Sequence, residues 1–116
     1  MCLVTNWEEP KIAEKDIICY KIYEGSQNGY VSPYRGSPIP EFNKITYADY
    51  FQEKIVNNQC HQGFHSFVSF NSAKEFKDRR LYFNIFKCII PKGARYYEGF
   101  FGIRKSYCSD RIIVIG

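Results

Sequence analysis

The chain has 116 residues, of which 45% are hydrophobic and 18% aromatic, and its net charge is +4. A chain of this length buries roughly two-thirds of the surface that it exposes when unfolded, so we expect one domain spanning residues 1–116. No apolar run approaches the roughly 18 residues of a membrane-spanning helix, and the N-terminal segment lacks the features of a secretory signal. The composition therefore excludes a helical membrane protein.

The cysteines indicate a reducing compartment. The chain contains an odd number of them and no Cys-x-x-Cys pair. Disulfide frameworks use even numbers of cysteines in secreted chains, so this pattern predicts free thiols and a location in the cytoplasm. The five residues are Cys2, Cys19, Cys60, Cys88 and Cys108.

The first half of the chain predicts a hairpin followed by a loop. Asp16–Tyr23 is rich in β-branched and aromatic residues and reads as a strand, and Tyr30–Ser32 is its expected hairpin partner. Residues 33–40 contain three prolines, which cannot donate backbone hydrogen bonds, so this segment is expected to be an extended surface loop.

Residues 45–56 allow two interpretations. Thr46 and Asp49 have the spacing of a capping box, and good helix formers follow, which favours a helix ending at about Val56. Ile45, Tyr47 and Phe51 also suit a strand.

A strand at Phe64–Phe67 is predicted to lead into a helix. Ser69 and Ser72 are alternative N-caps, and the basic pair Arg79–Arg80 suits the end of the helix.

The last third predicts three strands. Leu81–Ile90 is apolar on both faces, which is typical of a central strand. Ala94–Phe101 and Arg111–Ile115 also read as strands, and Gly102–Asp110 as a basic loop. The predicted fold is therefore α+β: a single small domain with a mixed or mainly antiparallel sheet and one or two helices.

Histidines and cysteines offer few candidates for chemistry. Cys60, His61 and His65 form a short cluster, but a structural zinc site needs about four ligands, so we predict no metal and no cofactor. His65 is a candidate general base and Glu98 a candidate catalytic carboxylate. Cys108 lies among basic residues in the sequence, which would lower its pKa if they were close, so it is the thiol expected to be most reactive.

Charge and aromatic residues indicate a binding surface in the last third. Residues 1–53 hold eight acidic and five basic residues, whereas residues 54–116 hold eleven basic and four acidic ones. Cationic and aromatic side chains are common anchors in protein interfaces. Cationic side chains also bind phosphates, and aromatic side chains also stack on nucleic-acid bases. The candidate binding residues are Arg95, Tyr96, Tyr97, Arg104, Lys105 and Tyr107.

Six short motifs resemble a family of small uncharacterised proteins of bacteriophages, Bacteroidota and related bacteria. They are Met1–Leu3, Pro10–Ala13, Asp16–Lys21, Ser32–Tyr34, Gly63–Ser66 and Cys88–Gly93. The resemblance implies a stand-alone cytoplasmic protein of mobile DNA, for example an inhibitor of a host defence enzyme. It implies no activity and no catalytic residue.

A second resemblance is local. Gly63–Phe67, followed by Ser69–Phe76, is similar to the middle motif of ADP-ribosyltransferase folds, in which a Gly-aromatic strand runs into a Ser-capped helix. This similarity implies NAD chemistry with Glu98 as the catalytic glutamate. Lys21 departs from the pattern, because such enzymes keep an Arg or His on the first strand.

Two functions follow as hypotheses. The first is a non-enzymatic binding protein that engages a protein or nucleoprotein partner, with nucleic acid as a possible ligand and no membrane association. The alternative is an ADP-ribosyltransferase-like NAD-binding enzyme, or its inactive relative, that uses His65 and Glu98.

Overall fold

The computed structural model describes residues 3–26, 29–32, 38–77 and 83–115. These residues form eleven strands and one helix. In chain order they are β1 (Leu3–Val4), β2 (Lys11–Ile12), β3 (Ile17–Ser26), β4 (Gly29–Val31), β5 (Thr46–Tyr47), β6 (Gln59–Cys60), β7 (Phe64–Phe67), α1 (Phe70–Lys77), β8 (Phe83–Ile90), β9 (Arg95–Phe101), β10 (Arg104–Ser109) and β11 (Arg111–Val114).

All the strands belong to one antiparallel sheet. Its order is β5-β11-β8-β3-β7-β10-β9-β1-β6, with β4 paired to β3 and β2 paired to β9. The single helix within the described ranges has eight residues. The predicted α+β class is therefore wrong, and the domain is β-rich with one short helix packed on the sheet.

The helix predicted within residues 46–56 does not form. Thr46 and Tyr47 instead make the two-residue strand β5, which pairs with Ile112 and Arg111 of β11. The backbone N–H of Ala48 donates to the carbonyl of Asp110 at 2.8 Å, so this segment follows the edge of the sheet. Pairing with an existing strand has outweighed the capping-box pattern, which is only a local preference.

The basic loop predicted at residues 102–110 is also wrong. Gly102 has a φ of +64°, and a two-residue turn at Gly102–Ile103 returns the chain directly into β10. Such two-residue hairpin turns favour glycine because they require positive φ. β10 then pairs with β9 on one side and β7 on the other, so its polar sequence lies inside the sheet.

The other predicted elements are found. β4 forms a hairpin with β3, and β8 is a central strand between β3 and β11. Helix α1 follows β7, and Ser69 is its cap, because its Oγ accepts the backbone N–H of Ser72 at 3.1 Å. The predicted helix end at Arg79–Arg80, the first residues of the Leu81 strand and part of the proline loop lie outside the described residues. No helix in the described ranges has the length and apolar character to cross a membrane.

The sheet curls around its main core. Tyr107 on β10 and Ile112 on β11 belong to one buried cluster, although three strands separate β10 from β11 in the sheet. The opposite face is covered at one end by α1, through Ala73, and at the other end by residues near Phe51. Burial of each large apolar side chain contributes about 1.5–3 kcal/mol, so both faces stabilise the sheet.

Candidate functional site

His65 and Glu98 lie on opposite faces of the sheet. In the ladder, His65 is paired with Cys108, and Cys108 with Tyr97, so these three side chains share one face. Glu98 is paired with Tyr107 and therefore shares the other face. The structure does not bring the two candidate catalytic groups into one site.

His65 is held by hydrogen bonds at the start of β7. Its Nε2 lies 3.1 Å from the carbonyl oxygen of Cys60, and because a carbonyl only accepts, this nitrogen carries a proton. Its own carbonyl accepts from the ammonium of Lys21 at 2.7 Å. His65 also lies on the wall of a cavity.

The predicted reactive thiol is buried. Cys108 has no solvent exposure, and its Sγ lies 3.1 Å from the Sγ of Cys60. Cys19 and Cys88 are equally buried, and burial raises the pKa of Cys19 to about 11 and that of Cys88 to about 12. The described residues contain no group of three or more side chains that could hold a metal ion.

Two of the predicted binding tyrosines belong to the core. Tyr97 has no solvent exposure, donates its hydroxyl to the carbonyl of Gln52 at 2.7 Å and stacks on Phe51. Tyr107 packs in the main core, edge-on to the half-buried Tyr96. Burial raises the pKa of Tyr97 and of Tyr107 to about 12, so both hydroxyls stay neutral near pH 7.

Arg95 belongs to an ion-pair network. Its Nε lies 3.2 Å from Asp110, and its terminal nitrogen lies 3.2 Å from Glu53. Asp110 is buried and also accepts two hydrogen bonds from Arg111, at 2.9 and 3.0 Å. Sequence reasoning missed Asp110, because nothing local links it to an arginine fifteen positions earlier.

Arg104 and Lys105 lie at the turn end of the β9–β10 hairpin. Arg104 points towards α1, where its Nε is 3.8 Å from Glu75, and the Lys105 ammonium is 3.7 Å from Glu98. Exposed ion pairs of this length contribute little, about 0–1 kcal/mol, so they compete weakly with a partner.

Exposed apolar side chains surround Lys105. Val4, Phe100 and Lys105 are paired in one row across β1, β9 and β10, so their side chains share a face. Val4 and Phe100 are each about half exposed, and Ile103 in the turn is 87% exposed. We call Val4, Phe100, Ile103 and Lys105 the hairpin surface. Ile103 was not predicted from the sequence, although an apolar residue within a polar segment could have indicated an exposed anchor.

Gly99 explains why β1 can complete this row. A Cβ atom at this position would collide with the carbonyl oxygen of Val4, so only glycine lets the two backbones approach so closely.

No family model, curated protein or solved structure matches the chain. The residues themselves therefore provide the basis for a functional proposal.

Proposed function

We propose that the protein is a non-enzymatic binding protein whose hairpin surface engages an acidic, partly apolar segment of a protein partner. The row of Val4, Phe100 and Lys105, with Ile103 beside it, is the observation that carries the proposal. Interfaces commonly combine a few exposed apolar anchors with polar groups around them.

The position of these side chains favours binding. The two-residue turn and the three-strand pairing fix their backbone, so little conformational entropy remains to be lost when a partner binds. An isolated exposed apolar residue is ordinary, but a row on adjacent strands forms a continuous patch that water solvates poorly.

Charge supports an acidic partner. Residues 54–116 carry a balance of +7, and Lys105 lies within the apolar row. A cation of this kind attracts and orients an anionic segment more than it adds to affinity. A peptide with an aromatic or aliphatic residue next to Asp or Glu matches both properties of the surface.

Selection from a library of random displayed peptides tests this proposal. The test variant combines Ile103→Ser with Lys105→Glu, and the matched control combines Ile45→Ser with Lys44→Glu, another exposed Ile and Lys. We expect enriched peptides that combine acidic and apolar residues. Binding should weaken at least about tenfold in the test variant, since loss of an interface anchor costs more than about 1 kcal/mol, and stay unchanged in the control.

Three results would overturn the proposal. They are the absence of enriched peptides, equal binding by the test variant, and enrichment of peptides without acidic residues. A labelled single-stranded oligonucleotide is measured in parallel. Binding of this oligonucleotide, lost in the test variant and without any selected peptide, would assign the surface to nucleic acid instead.

The cytoplasmic location and the mobile-DNA context remain part of the proposal. The four described cysteines are free thiols, which supports a reducing compartment. An inhibitor of a host defence enzyme would be one protein with such a surface. The NAD-dependent alternative has less support, because His65 and Glu98 lie on opposite faces.

A further inference from the structure

A cavity opens where two neighbouring strands separate. β3 and β7 are paired at Tyr20 and Phe67, and on their other edges β3 pairs with β8 and β7 with β10. Lys21–Tyr23 and Phe64–His65 follow this pair and face each other where no further β3–β7 pair is formed among the described residues. A cavity of about 460 Å³ lies at this gap, within the range of roughly 300–1,000 Å³ typical of small-molecule sites.

Lys21 places a positive charge on the wall of this cavity. The residue is only 8% exposed, and its ammonium donates to the carbonyl of His65, a group that the strand separation leaves outside the β3–β7 ladder. The ammonium also lies 5.4 Å from the ring centre of Tyr23 and 5.6 Å from that of Phe64.

Many of the other described lining residues are apolar or aromatic. Ile22, Phe67 and Phe76 are among them, and so are Tyr47 and Tyr50, which are themselves exposed. Asp49 is a further residue of the lining and is itself exposed, so solvent screens its charge. A cation held in low-polarity surroundings attracts an anion more strongly than one in water.

We propose that this cavity binds a small organic anion, with its carboxylate or phosphate at Lys21 and its ring or alkyl body between the aromatic walls. The proposal is independent of the hairpin surface, whose residues do not line the cavity. Carboxylate and phosphate share the chemistry that an ammonium recognises, so the two sources are separated by experiment.

Isothermal titration calorimetry with two probes, 4-phenylbutyrate and adenosine monophosphate, tests the proposal. We expect at least one probe to bind below millimolar concentration, and the successful probe identifies the anionic group. Lys21→Met keeps the length of the side chain and removes its charge. It should weaken binding at least about tenfold, which corresponds to the loss of one hydrogen bond to a charged group.

Two further variants keep the test decisive. Ala48→Phe fills the cavity and leaves Lys21 in place, so it should abolish binding. Lys87→Met removes an exposed charge from the neighbouring strand β8 and should leave binding unchanged. Melting curves confirm that each variant is folded. The proposal is overturned if neither probe binds at millimolar concentration, or if folded Lys21→Met or Ala48→Phe binds like the wild type.

Discussion

Asp110 shows how one residue can hold separate parts of the sheet together. It lies between β10 and β11, and its carboxylate accepts the backbone N–H and the Nε of Arg95 as well as the guanidinium of Arg111. Burial alone would raise the pKa of Asp110, but the hydrogen bonds from Arg111 and Arg95 hold it below its ordinary value of 3.8. The ionised carboxylate is thus the form that the fold stabilises.

This arrangement predicts a pH-dependent effect of Asp110→Asn. A lowered folded-state pKa stabilises the protein above the unfolded-state pKa, and this stabilisation is lost as the pH falls through the folded-state value. We expect the variant to lose about 1–3 kcal/mol of unfolding free energy at pH 7, because Arg95 and Arg111 lose their anionic acceptor. The difference from the wild type should shrink below about pH 4.

Urea denaturation at several pH values measures this difference. Glu53→Gln is the control, since it removes the exposed partner of Arg95 and should change stability by less than about 0.5 kcal/mol. A difference between wild type and Asp110→Asn that stays constant from pH 7 to acid would show that the charge of Asp110 does not stabilise the fold.

At the residue scale, the sequence could indicate types of side chain but not their partners. The basic and aromatic residues of the last third were recognisable as a group. Tyr97 and Tyr107 were nevertheless assigned to a surface and lie in the core, on opposite faces of the sheet. Both faces are covered at this point, and the covering residues, such as Phe51 over Tyr97 and Ile112 near Tyr107, come from distant parts of the sequence.

At the scale of elements, Gly63 controls how β7 enters the sheet. Its φ of +132° is rarely adopted by other residues, and a Cβ atom there would lie 2.7 Å from the Sγ of Cys108 and 2.9 Å from the carbonyl oxygen of Ser109. Both atoms belong to β10, the strand that pairs with β7. Glycine therefore permits the close entry that places His65 beside the cavity.

Gly63→Ala is expected to destabilise the protein by about 2–4 kcal/mol. The strain of a positive φ and the collision of the new Cβ atom with β10 would both raise the free energy of the folded state. Gly102→Ala is the matched control: its φ is also positive, but open space surrounds its Cβ position, so only about 1 kcal/mol should be lost. Unfolding free energies from urea titrations compare the two. Equal losses would mean that contact with β10 does not constrain Gly63.

The strands predicted from long apolar runs are found, whereas the helix predicted within residues 46–56 and the loop predicted at residues 102–110 are not. β3, β8 and β11 each carry apolar residues over consecutive positions, so burial on both faces was visible in the sequence. β10 has the sequence of a polar loop, and it becomes a strand because both neighbours supply backbone partners. The gap between β3 and β7 also depends on pairings between distant segments, so no local pattern in the sequence could predict the cavity.

For the whole molecule, closure of the curled sheet depends on the main core. Cys19, Cys88, Tyr107, Ile112 and Val114 come from four strands and meet in this one cluster. Because β10 and β11 are consecutive in the chain but distant in the sheet, the cluster joins the two halves of the ladder. A change in this cluster should therefore weaken the entire domain rather than one strand.

Neighbouring isoleucines of β11 test this property. Ile112 is completely buried in the main core, whereas Ile113 points to the other face and is half-buried. Ile112→Ala should lower the unfolding free energy by about 2–5 kcal/mol through lost burial and a cavity, and Ile113→Ala by about half as much. Denaturant titrations followed by both fluorescence and circular dichroism should give coincident transitions for each variant if the sheet unfolds as one unit. A larger loss at Ile113, or separate transitions in Ile112→Ala, would place the joining contacts elsewhere in the sheet.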